Sequence, residues 1–140
     1  MRLVIDTNIL ISALLAGTSL PAHLVVLWRE GLFDLLTSAD QLDELMRVTR
    51  YPKIRERLAP ALAGRLINEL RDSSVVLSNL PTITVASPDP NDNYLLAMAS
   101  VGSADFLVTG DKHDLLTLKR HECTRIVTVR EFLTLNRRLP

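Results

Sequence analysis

Four acidic residues carry the chemistry this chain is equipped for: Asp6, Glu44, Asp92 and Asp111. Asp6 follows Leu-Val-Ile, Asp111 follows Phe-Leu-Val-Thr-Gly, and Asp92 ends Asp-Pro-Asn-Asp ahead of a run of apolar and small residues. An acid on a solvated helix face needs no explanation. Acids at strand ends and helix starts can converge at one edge of an α/β sheet, where such folds bind ligands. Gathered carboxylates repel one another, and a divalent cation is the ordinary way to hold them together. The set points to metal-dependent phosphate chemistry.

Each acid also has a purely structural reading. Asp6 or Asn8 would serve simply as the cap of the helix that follows. Glu44 falls beside Gln41 and Val48, off the apolar stripe of Leu42, Leu45 and Met46, which by itself suits a solvent-facing residue. Asp89 reads as an N-cap with Pro90 in the first turn, and Asp92 as the third helical position, pointing to the same helix mouth. The competing reading is that both merely complement the helix dipole. Asp111 repeats the Asp6 arrangement on a second strand. Asp114, three residues on, either completes the site or only occupies a helical first turn. Thr7, Asn8, Ser12 and Thr109 are polar neighbours suited to orienting water or carboxylates.

The elements that must position these acids alternate. Residues 3–5 read as a buried strand and 9–15 as a mostly apolar helical segment. A second helix over 21–30 is closed by Gly31, and 32–36 is the next strand. Ser38 and Gln41 have capping-box spacing and start a helix that runs to about Thr49. Pro52 breaks the chain before 54–58, and Pro60 opens a helix through about Leu70. Of two β-rich triplets, 75–77 and 83–85, the second is the better candidate for the sheet. A helix from Asp89 to Val101 is closed by Gly102, 106–108 is a strand, and Asp111 starts a short helix. A last strand over 125–129 precedes a helix over 130–136. This alternation predicts an α/β fold, a single domain over 1–140, with a parallel sheet covered on both faces.

Bulk properties agree. The 140 residues are 47% hydrophobic and 23% charged, enough for one domain with a sizeable core. Sixteen basic residues balance sixteen acidic ones, so a site that gathers acids leaves the remaining surface net basic. That permits a nucleic-acid ligand but argues against non-specific coating of DNA. Cys123 is the single cysteine, which excludes an internal disulfide and fits a reducing cytoplasm. The apolar runs are too short to span a bilayer, so no membrane association is expected. His23, His113 and His121 are scattered, and nothing resembles a zinc site.

Val-Ile-Asp-Thr-Asn-Ile, the mid-helix Glu44, Asp-Pro-Asn-Asp-Asn-Tyr-Leu-Leu-Ala-Met-Ala and Leu-Val-Thr-Gly-Asp, in that order, resemble the PIN-domain nucleases. The likeness is greatest to the toxins of prokaryotic toxin–antitoxin systems (VapC-like), and it covers nearly the whole chain. It implies a three-layer sandwich with a central parallel sheet of about five strands. It places the family's conserved acids on Asp6, Glu44, Asp92 and Asp111, with Asn8 as helper and Asp89 and Asp114 as secondary candidates. It implies Mg²⁺ or Mn²⁺ bound by the four acids, hydrolysis of RNA to a 5′-phosphate and a 3′-hydroxyl, a cognate antitoxin protein and a possible homodimer.

Beside Glu44, the residues Arg47, Arg50, Lys53, Arg55 and Arg57 form a basic cluster interrupted by Glu56 alone. They are candidates for contacting an RNA backbone, with Lys112 as a further one; the competing reading is a solvated helix face. Aromatic residues make up only 4%, which argues for recognition of RNA shape over broad base stacking. The alternatives are a metal-dependent phosphatase or a 5′-nuclease, a phosphoacceptor receiver domain, and a PIN domain that binds RNA or a partner without cutting. A receiver would want paired acids after the first strand, where this chain has Asp6 followed by Thr and Asn.

Overall fold

The computed structural model describes residues 1–82, 90–110 and 115–140. The chain opens with β1 (Arg2–Ile5), whose side chains alternate between the two faces of a sheet: Leu3 and Ile5 enter one core, Val4 the other. Asp6 ends the strand and caps α1 (Thr7–Leu15), its carboxylate accepting from the Asn8 amide. Ser19 caps α2 (Leu20–Arg29). That helix closes with Gly31 at φ 84°, the Leu32 amide donating to Leu27 and the Gly31 amide to Trp28. This double closure needs the left-handed conformation that glycine adopts without penalty.

β2 (Asp34–Ser38) and α3 (Ala39–Val48) follow, then α4 (Pro52–Arg55) and α5 (Pro60–Ser73). β3 (Val75–Leu77) takes the edge of the sheet beside β2. The first β-rich triplet, 75–77, thus enters the sheet; 83–85 lies outside the described residues. A 3-10 turn, Pro90–Asp92, leads into α6 (Asn93–Val101), so Asp92 is the third residue of the turn and occupies the N-cap position of α6 without a side-chain capping hydrogen bond. β4 (Phe106–Val108), α7 (Leu115–Leu118), β5 (Arg120–His121), β6 (Thr124–Val127) and α8 (Val129–Leu135) complete the described elements.

The sheet order is β3-β2-β1-β4-β6-β5. The first five of these strands run parallel, and the two-residue β5 pairs antiparallel with β6 as a short hairpin at the far edge. Leu3, Ile5, Leu35, Val108 and Val127 face a core shared with α1, α2, α3, α5 and α8. Phe132 of that core meets Phe33 and Phe106 edge to face at 5.8 and 5.3 Å. Val4, Leu36, Leu107 and Ile126 face the opposite core with α6 and Leu115 of α7. The result is the three-layer α/β sandwich expected from the alternating pattern. Gly102 permits the close approach of α6 to β2: a methyl group there would lie 2.4 Å from the buried Leu36 side chain. Among the described residues no single helix is long and apolar enough to cross a membrane.

The topology fixes where a ligand would bind. From β1 the chain steps outward to β2 and β3, then returns to the other side of β1 with β4. The crevice between the carboxyl ends of β1 and β4 is the switch point of the sheet, the ordinary ligand site of open α/β folds.

Candidate active site

Asp6 stands at that switch point. Its backbone amide donates to Val108 at the end of β4, at 2.9 Å. Its side chain is 94% buried, and the Thr109 hydroxyl donates to Oδ2 at 2.7 Å while the Asn8 amide donates to Oδ1 at 3.2 Å. A buried carboxylate demands such donors, and here they come from the element on either side of the crevice. The capping and site readings of Asp6 are thus compatible.

Glu44 reaches the same region from α3, one layer away. The hydroxyl of Tyr94, on α6, donates to Glu44 Oε2 at 2.5 Å. That hydroxyl lies 3.0 Å from Thr7 Oγ1, the residue next to Asp6. Because Tyr94 has one proton and gives it to Glu44, the Thr7 hydroxyl donates to Tyr94. Burial, and then the hydrogen bond to Glu44, push the Tyr94 phenol far above the ordinary tyrosine range, so it remains a donor at neutral pH.

Gln41 explains why α3 holds this angle. It is 1% exposed; its Nε2 donates to the Ile5 carbonyl at 2.6 Å, and the Thr37 hydroxyl donates to its Oε1 at 2.8 Å. The Gln41 amide does donate to Ser38 Oγ, as the capping-box spacing implies. The glutamine side chain, however, ties α3 to the end of β1, not back to the cap.

Glu44 and Asp92 line one cleft of about 560 Å³ with Asp40, Asp43, Asn91, Tyr94 and Arg47. Four carboxylates against one guanidinium make it an acidic cleft. Asp6 is linked to it through the Thr7–Tyr94 bridge. Asp89, Asp111, Lys112 and Asp114 lie outside the described residues. Ser12 is exposed and its hydroxyl donates to the Asn8 carbonyl of its own helix. Asn8 is exposed as well, its backbone amide serving Asp6.

The basic cluster divides. Arg47 lines the acidic cleft, whereas Arg50 and Arg55 line a second cavity between α3, α4 and α5. Lys53 and Arg57 are exposed. Tyr94, Gln41, Asp40 and Asp43 are the residues that sequence reasoning did not assign to the site. Tyr94 could have been suspected from its place two residues after Asp92, but its partner Glu44 is fifty positions away.

The donors fit a hard divalent cation in kind, being carboxylate oxygens without nitrogen or sulfur competitors. Among the described residues no three His, Cys, Asp or Glu side chains stand close enough to hold one ion together. Mg²⁺ ordinarily takes one or two carboxylates and keeps several waters, so it does not require a closed cage of protein ligands. No curated protein matches the chain. The model of the PIN domain matches residues 2–113. With its mostly parallel sheet, helices on both faces and Asp6 at the β1/β4 switch point, the chain belongs to the PIN-domain family, whose members are generally nucleases and typically use divalent metals.

Proposed function

We propose that the protein is a Mg²⁺- or Mn²⁺-dependent endoribonuclease and the toxin of a toxin–antitoxin pair. The observation that carries the catalytic reading is the hydrogen-bonded path Thr7–Tyr94–Glu44, which couples the acid of α3 to the strand end that presents Asp6. A network that fixes one carboxylate relative to another is what a metal site needs beyond its ligands. One or two of Asp6, Glu44 and Asp92 would hold the ion directly and the rest would reach it through its waters, with Asp111 as the fourth acid that the family resemblance implies. When bound, such an ion would provide activation of water near neutral pH and charge compensation for the scissile phosphate.

The chain's own residues do the rest. Thr109 and the Asn8 amide keep the Asp6 oxygens aimed at the crevice. Tyr94 orients Glu44 by donating to its Oε2. Arg47, the one cation lining the acidic cleft among the described residues, is placed to accept a phosphate of the incoming strand. A cognate antitoxin would cover this cleft, and the working compartment would be the cytoplasm.

The test is cleavage of total cellular RNA by purified protein in Mg²⁺, in Mn²⁺ and in EDTA, beside Asp6→Asn. Metal-dependent fragments bearing 5′-phosphates, absent with Asp6→Asn, are expected. A folded protein that leaves RNA intact under both metals but binds it would overturn the catalytic reading in favour of a binding module. Cleavage of DNA ends or release of inorganic phosphate in place of internal RNA cuts would favour a 5′-nuclease or phosphatase.

A further inference from the structure

The second cavity is the basic counterpart of the acidic cleft. It has a volume of about 250 Å³ and is lined by Arg50 just beyond α3, Arg55 at the end of α4 and Arg71 near the end of α5. Met46, Ala63 and Ile67 supply apolar wall, and among the described residues no acid lines it. Three arginines from three parts of the chain thus line one space. The one ion pair among the described residues is Arg29–Glu69, so none of the three is paired with a described carboxylate. Arg71 reaches across from α5 to α3, where its Nη2 lies 3.6 Å from Met46 Sδ.

Gly64 adds a second observation. It sits inside α5, where glycine costs roughly 0.5–1 kcal/mol relative to alanine. Packing does not call for it, because a methyl group there would meet nothing within 4 Å. It lies on the cavity wall, where it leaves the helix backbone open to close approach.

We propose that this cavity is an anion subsite that takes a backbone phosphodiester of the RNA at a point displaced from the scissile bond. The inference rests on the ribonuclease reading and deepens it. Guanidinium forks match phosphate oxygens, and the absence of aromatic residues from the lining selects backbone over base. Continuity with the cleft favours a nucleic acid over an acidic protein segment. The Arg50 amide donates to the Arg47 carbonyl at 3.2 Å, which holds Arg50 one turn below Arg47. A strand entering the acidic cleft past Arg47 therefore runs along α3 onto Arg50, Arg55 and Arg71.

The experiment compares wild type with the double variant Arg55→Gln/Arg71→Gln; both side chains are exposed, and unchanged melting establishes the fold. Binding of a fluorescein-labelled random-sequence RNA of about 20 nucleotides is followed by anisotropy in EDTA, from about 50 to about 200 mM salt. The variant is expected to bind about tenfold more weakly at the low-salt end, with a salt slope shallower by about 0.7 for each phosphate it no longer neutralises. Arg71→Lys, which keeps charge without the fork, is expected to fall between the two. Equal affinity and slope in wild type and variant would overturn the subsite. So would a short oligoglutamate that binds wild type, fails to bind the variant and leaves RNA affinity identical in both; the cavity would then serve an acidic protein segment. Wild type that binds through these arginines but never cuts with Mg²⁺ or Mn²⁺ removes the ribonuclease reading and keeps the subsite. Wild type that cuts, beside a variant that binds equally well, removes the subsite alone.

Discussion

Tyr94 joins two sides of the site, because its single proton goes to Glu44 while its oxygen faces the Thr7 hydroxyl. Removing the hydroxyl with Tyr94→Phe leaves the ring in place and the Glu44 carboxylate without its donor. Loss of a hydrogen bond behind a metal ligand ordinarily costs about 10–100-fold in metal affinity or activity. We therefore expect the Mn²⁺ concentration for half-maximal RNA cleavage to rise about tenfold in Tyr94→Phe. Unchanged metal dependence would mean that the tyrosine only packs. The same residue predicts behaviour in alkali. Burial first, and the Glu44 hydrogen bond second, hold the phenol proton more tightly in the folded chain than in the unfolded one. The corresponding stability is fully present below the unfolded value of about 10 and is lost as pH rises through the folded value. While the protein stays folded, at about pH 11, wild type and Tyr94→Phe should give the same phenolate absorbance. A larger signal from wild type would show that Tyr94 ionises normally.

At the scale of elements, α3 is aimed by Gln41. Gln41→Met preserves side-chain bulk but deprives the buried Thr37 hydroxyl and Ile5 carbonyl of their partner. Each buried polar group left unsatisfied costs about 1–3 kcal/mol, so denaturant unfolding should show a loss of at least about 1 kcal/mol. Wild-type stability in Gln41→Met would show that α3 is held by its apolar face alone. This residue also marks where the sequence stopped being readable. Its spacing from Ser38 announced a helix start correctly, because that signal is local, while its side chain answers to a strand that lies 36 positions earlier. Asp6 was legible for the same local reason: strand, acid and helix are contiguous. Glu44 was not, since its distance from the Leu42/Leu45 stripe describes a solvated residue equally well, and only the fold brings Tyr94 to it. The second strand shifted from 32–36 to Asp34–Ser38 because Leu32 is used to close α2, and pairing with β1 starts at Asp34 opposite Arg2. The triplets 75–77 and 83–85 have similar composition; the first enters the sheet directly after α5, in parallel register with Leu36–Ser38.

Across the whole molecule, a net charge of zero conceals a separation of sign: an acidic cleft at the carboxyl edge of the sheet and an arginine cavity beyond the end of α3. Without a cation, Asp40, Asp43, Glu44 and Asp92 repel across the cleft with Arg47 the single described base beside them, so moderate salt should stabilise the protein in EDTA by screening. A cation that binds only the folded chain stabilises it by mass action, by about 2.7 kcal/mol at a hundredfold excess over its dissociation constant. For a chain of this length, that corresponds to a rise in Tm of roughly 5–10 °C. Saturating Mn²⁺ should produce such a rise in wild type and lose most of it in Glu44→Gln and in Asp92→Asn, both of which keep an oxygen acceptor but surrender the charge. The measurement needs no RNA, so it tests the metal site apart from cleavage. Equal shifts in wild type and both variants would place the ion elsewhere on the molecule, and the assignment of the acidic cleft would have to be abandoned.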